Sequence, residues 1–157
     1  MSVTHASEMK KLPEFLYHGT DCANIPSICK KGILTGRYDT CTPYTKRAGL
    51  GQSFVEDCIG NVSMAVDPKD AIFFIVANRN TKEEFLKPQC ILKVRTEKLD
   101  TNRLLFRELF DKPNAEAKLF RDVPPEAIEG IQIRTFEQKG KKLNVKEEWK
   151  TCDLWKE

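Results

Sequence analysis

A chain of 157 residues with 40 % hydrophobic and 31 % charged content has the size and balance of one globular domain rather than a disordered or fibrous chain. Its longest apolar run, Ala71 to Ala77, falls far short of the ~20 residues that cross a bilayer. The formal net charge of +3 is weakly compatible with a polyanionic partner and points to none by itself.

Met1 to Lys11 is polar, lacks the apolar stretch of a secretory signal, and reads as a flexible lead-in to a single domain over residues 12–157. A cytoplasmic location is the expectation. Phe15 to His18 is a short aromatic and apolar run that predicts a buried strand. Gly19-Thr20-Asp21 breaks it, and Asp21 stands where a helix cap belongs. The predicted helix covers Cys22 to Lys31, with Ile25, Ile28 and Cys29 on one face, Pro26 in its first turn and Gly32 as its stop. Residues 36–60 hold Gly36, Gly49, Gly51 and Gly60 without any period, which predicts a long loop of the kind that carries function.

Asn61 to Ala65 predicts a strand, and Asp67-Pro68 caps a helix from Lys69 to Asn78. Gln89 to Arg95 alternates at its end and reads as a strand. Leu104 to Phe110 predicts a short helix. Ala115 to Phe120 and Ile128 to Thr135 predict two further strands around Val123-Pro124-Pro125. The tail from Lys146 to Glu157, with Trp149 and Trp155, predicts a final helix. These elements make an α+β domain without repeats or a dividing linker.

The six cysteines (Cys22, Cys29, Cys41, Cys58, Cys90, Cys152) include no close C-x-x-C pair, so zinc is not indicated and free thiols are expected. Lys139, Lys141, Lys142, Lys146 and Lys150 concentrate charge near the end, diluted by Glu147 and Glu148, and read as a solvated face.

Three places carry candidate chemistry. His18 ends a strand beside Gly-Thr, where an imidazole, a hydroxyl and open backbone come together. Phe73 and Phe74 offer aromatic surface on a predicted helix. Glu116 begins an apolar strand, an awkward place for a charge unless a ligand, a cation or a site uses it. Each taken alone reads equally as ordinary structure: a bonded histidine, core phenylalanines and an edge carboxylate.

Their order matches a family pattern. Leu16-Tyr17-His18-Gly19-Thr20, then Asn24-Ile25-Pro26-Ser27-Ile28 and Gly32-Ile33, resembles the first NAD-binding motif of histidine-type ADP-ribosyltransferases, the group that includes diphtheria toxin and the poly(ADP-ribose) polymerases. The segments Val62 to Phe74, Ala115-Glu116-Ala117-Lys118-Leu119-Phe120, Val123-Pro124 and Ile128-Glu129-Gly130-Ile131 extend it. The whole most closely resembles the DarT family of DNA ADP-ribosyltransferase toxins.

The resemblance implies an ADP-ribosyltransferase-like fold of two small packed antiparallel or mixed sheets, with flanking helices around an NAD cleft. It implies NAD as a substrate, no metal, and single-stranded DNA as the partner, in a toxin or phage-defence role with an antitoxin or immunity protein. His18, Gly19, Thr20, Asn24, Phe73 and Phe74 fall in the NAD-binding positions, with His18 on the adenosine-side ribose, the Gly19 backbone on the nicotinamide amide and a Phe73/Phe74 ring stacked on nicotinamide. Glu116 falls at the catalytic carboxylate, and Arg47, with Lys46 as its rival, at a loop cation contacting the pyrophosphate or the acceptor.

The chain departs from the pattern in two ways. Val62 to Ala65 lacks the aromatic of relatives, and Asn114 stands where arginine-modifying relatives carry a second glutamate. A protein acceptor and a non-catalytic NAD- or ADP-ribose-binding module are the alternatives. An RNA 2′-phosphotransferase needs a second site histidine, and His5 in the lead-in is the only other one.

Overall fold

The computed structural model describes residues 3–37, 57, 59–76 and 79–155. Among the described residues eight strands run β1 (Val3–His5), β2 (Phe15–Asp21), β3 (Val62–Ala65), β4 (Gln89–Arg95), β5 (Leu104–Leu109), β6 (Lys112–Leu119), β7 (Ile128–Lys139) and β8 (Lys142–Lys150). Among the described residues three α-helices, α1 (Ile25–Lys31), α2 (Pro68–Val76) and α3 (Lys82–Phe85), interrupt them. The strands form one hydrogen-bonded sheet in the order β1-β5-β6-β3-β2-β4-β7-β8, antiparallel at every pairing.

The sheet is two four-stranded halves joined by little. Strands β2 and β3 meet in register only at Tyr17↔Ala65, whereas β2 and β4 pair along seven residues. The ladder between β2 and β3 is confined to that one pair, so the middle of the sheet is a seam. Two packed sheets were expected; the strands form one continuous sheet with a single-pair junction at its centre, which neither matches nor excludes that expectation.

Strand alternation sorts the chain between two faces. Leu16, Val62, Met64, Leu92, Val94, Leu104, Phe106, Ala117 and Leu119 build the main core with Ile25, Ile28 and Cys29 of α1. On the opposite face Ala65 and Ile91 pack against Ala71 and Ile75 of α2. Strand β6 lies in mid-sheet and is buried from Ala115 to Leu119. A strand covered on both faces is normally apolar throughout. Glu116 and Lys118 break that rule on the same face.

Several elements differ from the sequence reading. The lead-in is structured from Val3, where β1 pairs with Arg107, Phe106 and Leu105 of β5, and Ala6 is buried. Leu104 to Phe110 is a strand rather than a helix. Its partner β6 follows through Phe110 and Asp111, both at positive φ (51° and 62°), a turn that Asn-Gly normally signals. The tail is β8 followed by a 3-10 turn over Cys152–Trp155. The Lys139↔Lys142 pairing leaves Gly140 (φ 62°) and Lys141 as the connecting residues.

Asp67 caps α2 as expected, accepting from the Lys69 amide at 2.9 Å. Asp21 does not cap α1, whose start is preceded by a 3-10 turn at Cys22–Asn24; its carboxylate instead accepts from the buried Arg79 guanidinium at 2.6 Å. The expectation of free thiols fails at four positions. Cys22 is bonded to Cys90 and Cys29 to Cys152, because α1 packs where both partners come within disulfide reach, with Cα atoms 5.3 Å apart in each pair. Among the described residues no helix is long and apolar enough to cross a membrane.

Candidate active site

Three strands bring the site together. The β3–β6 register sets Ser63 opposite Lys118 and Ala65 opposite Glu116, and the β5–β6 register sets Arg107 opposite Glu116. Ser63, Lys118, Glu116 and Arg107 therefore share one face. Asn114, at φ 53°, lies in the stretch where the β5–β6 pairing shifts register, just before Ala115 and Glu116. Such irregularities re-aim the side chains that follow.

Glu116 is 4 % exposed, and its Oε1 accepts from Arg107 Nε. The rest of the guanidinium grips Asp57 with two bonds, NH1 to Oδ1 at 3.0 Å and NH2 to Oδ2 at 2.6 Å. Lys118, 3 % exposed, donates to the Asp57 carbonyl (3.1 Å), Asn61 Oδ1 (3.2 Å) and Ser63 Oγ (3.0 Å). Two acids and two bases thus neutralise each other, Glu116 and Lys118 buried and Arg107 and Asp57 partly exposed. Burial works against the Arg107 charge, but the hydrogen bonds and charges of Asp57 and Glu116 outweigh it and raise its pKa above the ordinary value. Burial likewise opposes the Asp57 charge, and Arg107 and Lys118 together hold its carboxyl below the ordinary range. Removing one member of such a set leaves an uncompensated charge, a loss of about 3–5 kcal/mol where the pair is buried.

His18 stands at the seam. Its Nδ1 lies 2.9 Å from the Ser63 carbonyl oxygen, across the gap where β2 and β3 stop pairing. A carbonyl only accepts, so Nδ1 carries the proton and Nε2 of the neutral ring is an acceptor. Burial lowers the His18 pKa, against the opposite pull of the Ser63 bond, and keeps the ring neutral at pH 7. Ser63 is the hinge of the cluster, bonded through its carbonyl to His18 and through Oγ to Lys118.

The other expected positions fare variously. Gly19 is needed for packing: a Cβ there would lie 2.2 Å from the Ala71 carbonyl oxygen of α2. Asn24 folds back to donate to Thr20 Oγ1 at 2.9 Å, which closes the turn after β2. Phe73 is 42 % exposed and stands edge-on to Phe110, with ring centroids 5.0 Å apart, while Phe74 packs against the α2 core. Asp70 of α2 pairs with Lys112, tying the helix to the β5–β6 hairpin. Arg47 and Lys46 lie outside the described residues. The ends of the long loop meet, since Gly36 donates to the Asn61 carbonyl at 3.0 Å and bridges Ile59.

Sequence reasoning missed Arg107, Asp57, Ser63 and Lys118. Glu116 does have the cation that its burial calls for, and that cation is Arg107. Among the described residues no group of three or more His, Cys, Asp or Glu side chains is arranged to hold a metal.

No family model matches this chain, and no curated protein matches it. Among solved structures the chain is similar to one named EcPltA, with a TM-score of 0.57 and 8 % identity over 89 % of this chain and 86 % of that chain. At that identity the likeness is one of fold alone.

Proposed function

We propose that this chain is a mono-ADP-ribosyltransferase that takes ADP-ribose from NAD and places it on nucleic acid, with a base in single-stranded DNA as the acceptor. One observation carries the reading. His18 and Glu116, ninety-eight positions apart by their numbers, lie on strands that flank β3 and connect through Ser63, Lys118, Asp57 and Arg107 in turn. The acceptor, and a toxin or phage-defence role, rest on the DarT resemblance of Tyr17-His18-Gly19-Thr20 and Ala115-Glu116.

In the reaction the bond from ribose C1 to the nicotinamide nitrogen breaks, and its electron pair leaves with nicotinamide. The acceptor nucleophile bonds to C1 and gives up a proton. Glu116 stabilises the positive charge that grows on the ribose, an interaction stronger in the transition state than before it. It also serves as the base. His18, neutral with Nε2 as acceptor, takes a hydrogen bond from a ribose hydroxyl. Phe73, exposed on α2, supplies the ring surface for nicotinamide.

Two observations qualify the sequence reading. Arg107 already engages one oxygen of Glu116, which favours as a second reading an NAD- or ADP-ribose-binding module without turnover. Two disulfides favour an oxidising compartment over the cytoplasm.

The test is incubation of wild-type and Glu116→Ala protein with labelled NAD and, separately, single-stranded DNA, RNA and cell protein. Label on DNA that disappears in the variant is the expected result. Label on protein alone transfers the activity to a protein acceptor. NAD bound with neither label nor nicotinamide release supports the non-catalytic module.

A further inference from the structure

We propose that Arg107 is a positioning residue, one that pins a single oxygen of Glu116 and is itself oriented by Asp57, so that the second oxygen is presented to the ligand. The proposal rests on the reading of Glu116 as the catalytic carboxylate. Arg107 uses Nε for Glu116 Oε1 and both terminal nitrogens for Asp57. A planar guanidinium held at all three nitrogens has little freedom left, so the plane of Asp57 fixes the direction in which Nε points. Among the described residues Oε2 of Glu116 has no donor, whereas Oε1 has Arg107.

The neighbouring buried cation does not compete for that role. Lys118 lies two residues along β6 on the same face, yet its ammonium is directed to Asp57, Asn61 and Ser63. Among the described residues, Arg107 is therefore the contact that sets the carboxylate's rotation. The backbone supports the same arrangement. The β5–β6 register holds Arg107 opposite Glu116 and shifts immediately afterwards, next to Asn114 at positive φ. Without that shift the regular pairing continued back from the hairpin turn places another β6 residue opposite Arg107.

A structural ion pair and a positioning contact make different kinetic predictions. A structural pair acts on folding, and its loss lowers the amount of native protein. A positioning contact acts on the turnover of native protein that still binds NAD, because a carboxylate displaced by about 1 Å costs up to about 100-fold in rate.

The experiment measures kcat and KM for nicotinamide release, and NAD binding by calorimetry, for wild type, Arg107→Lys, Arg107→Gln, Glu116→Gln and the double Gln variant. Arg107→Gln is expected to lower kcat about 10–100-fold while NAD affinity stays within about threefold of wild type. Arg107→Lys, which keeps the charge, is expected to recover part of the loss. The double variant is expected to be no slower than Glu116→Gln alone, the non-additivity of residues that act through each other. Undiminished turnover in Arg107→Gln, or losses that multiply in the double variant, overturns the proposal. If Arg107→Gln does not fold, Asp57→Asn is read in its place, and kcat equal to wild type overturns the proposal. If wild type binds NAD and releases no nicotinamide, the catalytic reading of Glu116 falls first and this inference with it.

Discussion

Burial lowers the pKa of His18, and the bond to the Ser63 carbonyl offsets only part of that effect. The sign of the consequence follows from linkage. With its folded pKa below the unfolded value of about 6.5, the ring binds fewer protons in the native state than in the unfolded chain. Its contribution to stability is present above pH 6.5 and is lost as pH falls from there towards the lowered value. Melting temperature is therefore expected to fall as the pH is taken from 7 to about 5, and His18→Gln to flatten that segment of the curve. Identical slopes for wild type and variant show that another group is responsible. His18 and Glu116 could be singled out as candidates from the sequence because each lies inside a short local motif. Arg107 and Lys118 were not, since their partner Asp57 is 50 and 61 residues away and only the tertiary fold brings them together. One hint was present: Lys118 follows Glu116 by two, the spacing of a shared strand face.

Elements were readable where local chemistry agreed with tertiary placement. Helix α1 has its apolar face at Ile25, Ile28 and Cys29, and Gly32 ends it at φ 83°, a conformation that favours glycine. Strand β5 was misread because its turn places Phe110 at positive φ, against its propensity, and follows it with Asp111 rather than a glycine, so the pair sends no hairpin signal. The β7–β8 hairpin did send one, Gly140 at the first turn position, but the lysines around it drew the reading towards a solvated face. The contact between α2 and β2 is the element-level feature on which the site depends, because it holds Phe73 and the strand of His18 in one unit. Gly19→Ala places a methyl 2.2 Å from the Ala71 carbonyl and 2.8 Å from the Ile75 side chain. Backbone cannot yield as a side-chain tip does, so α2 must move, at a cost of about 1–3 kcal/mol. The expected outcome is a melting temperature lower by about 3–10 °C in differential scanning calorimetry. A variant as stable as wild type shows that α2 docks more loosely than this contact requires.

At the scale of the molecule, the weak junction at Tyr17↔Ala65 leaves the two halves of the sheet to be held together by other means. The main core spans both halves through Leu16, Met64, Leu92 and Ala117. The disulfides add covalent ties: Cys22–Cys90 joins the turn after β2 to β4, and Cys29–Cys152 ties α1 to the end of the chain. The second closes 123 positions of sequence, so it removes much freedom from the unfolded chain, and disulfides of this kind contribute about 2–4 kcal/mol. Reduction, or Cys152→Ser, is expected to lower the melting temperature by about 5–15 °C. The bonds themselves are checked by alkylating the denatured protein before and after reduction and weighing it. Of the six cysteines, at least four are expected to resist alkylation until reductant is added. Six labels without reductant show the thiols free and leave apolar packing across β2 and β3 to hold the seam without covalent ties. Protected cysteines, with melting that falls on reduction, make the oxidised chain the form in which His18 and Glu116 are held on either side of β3.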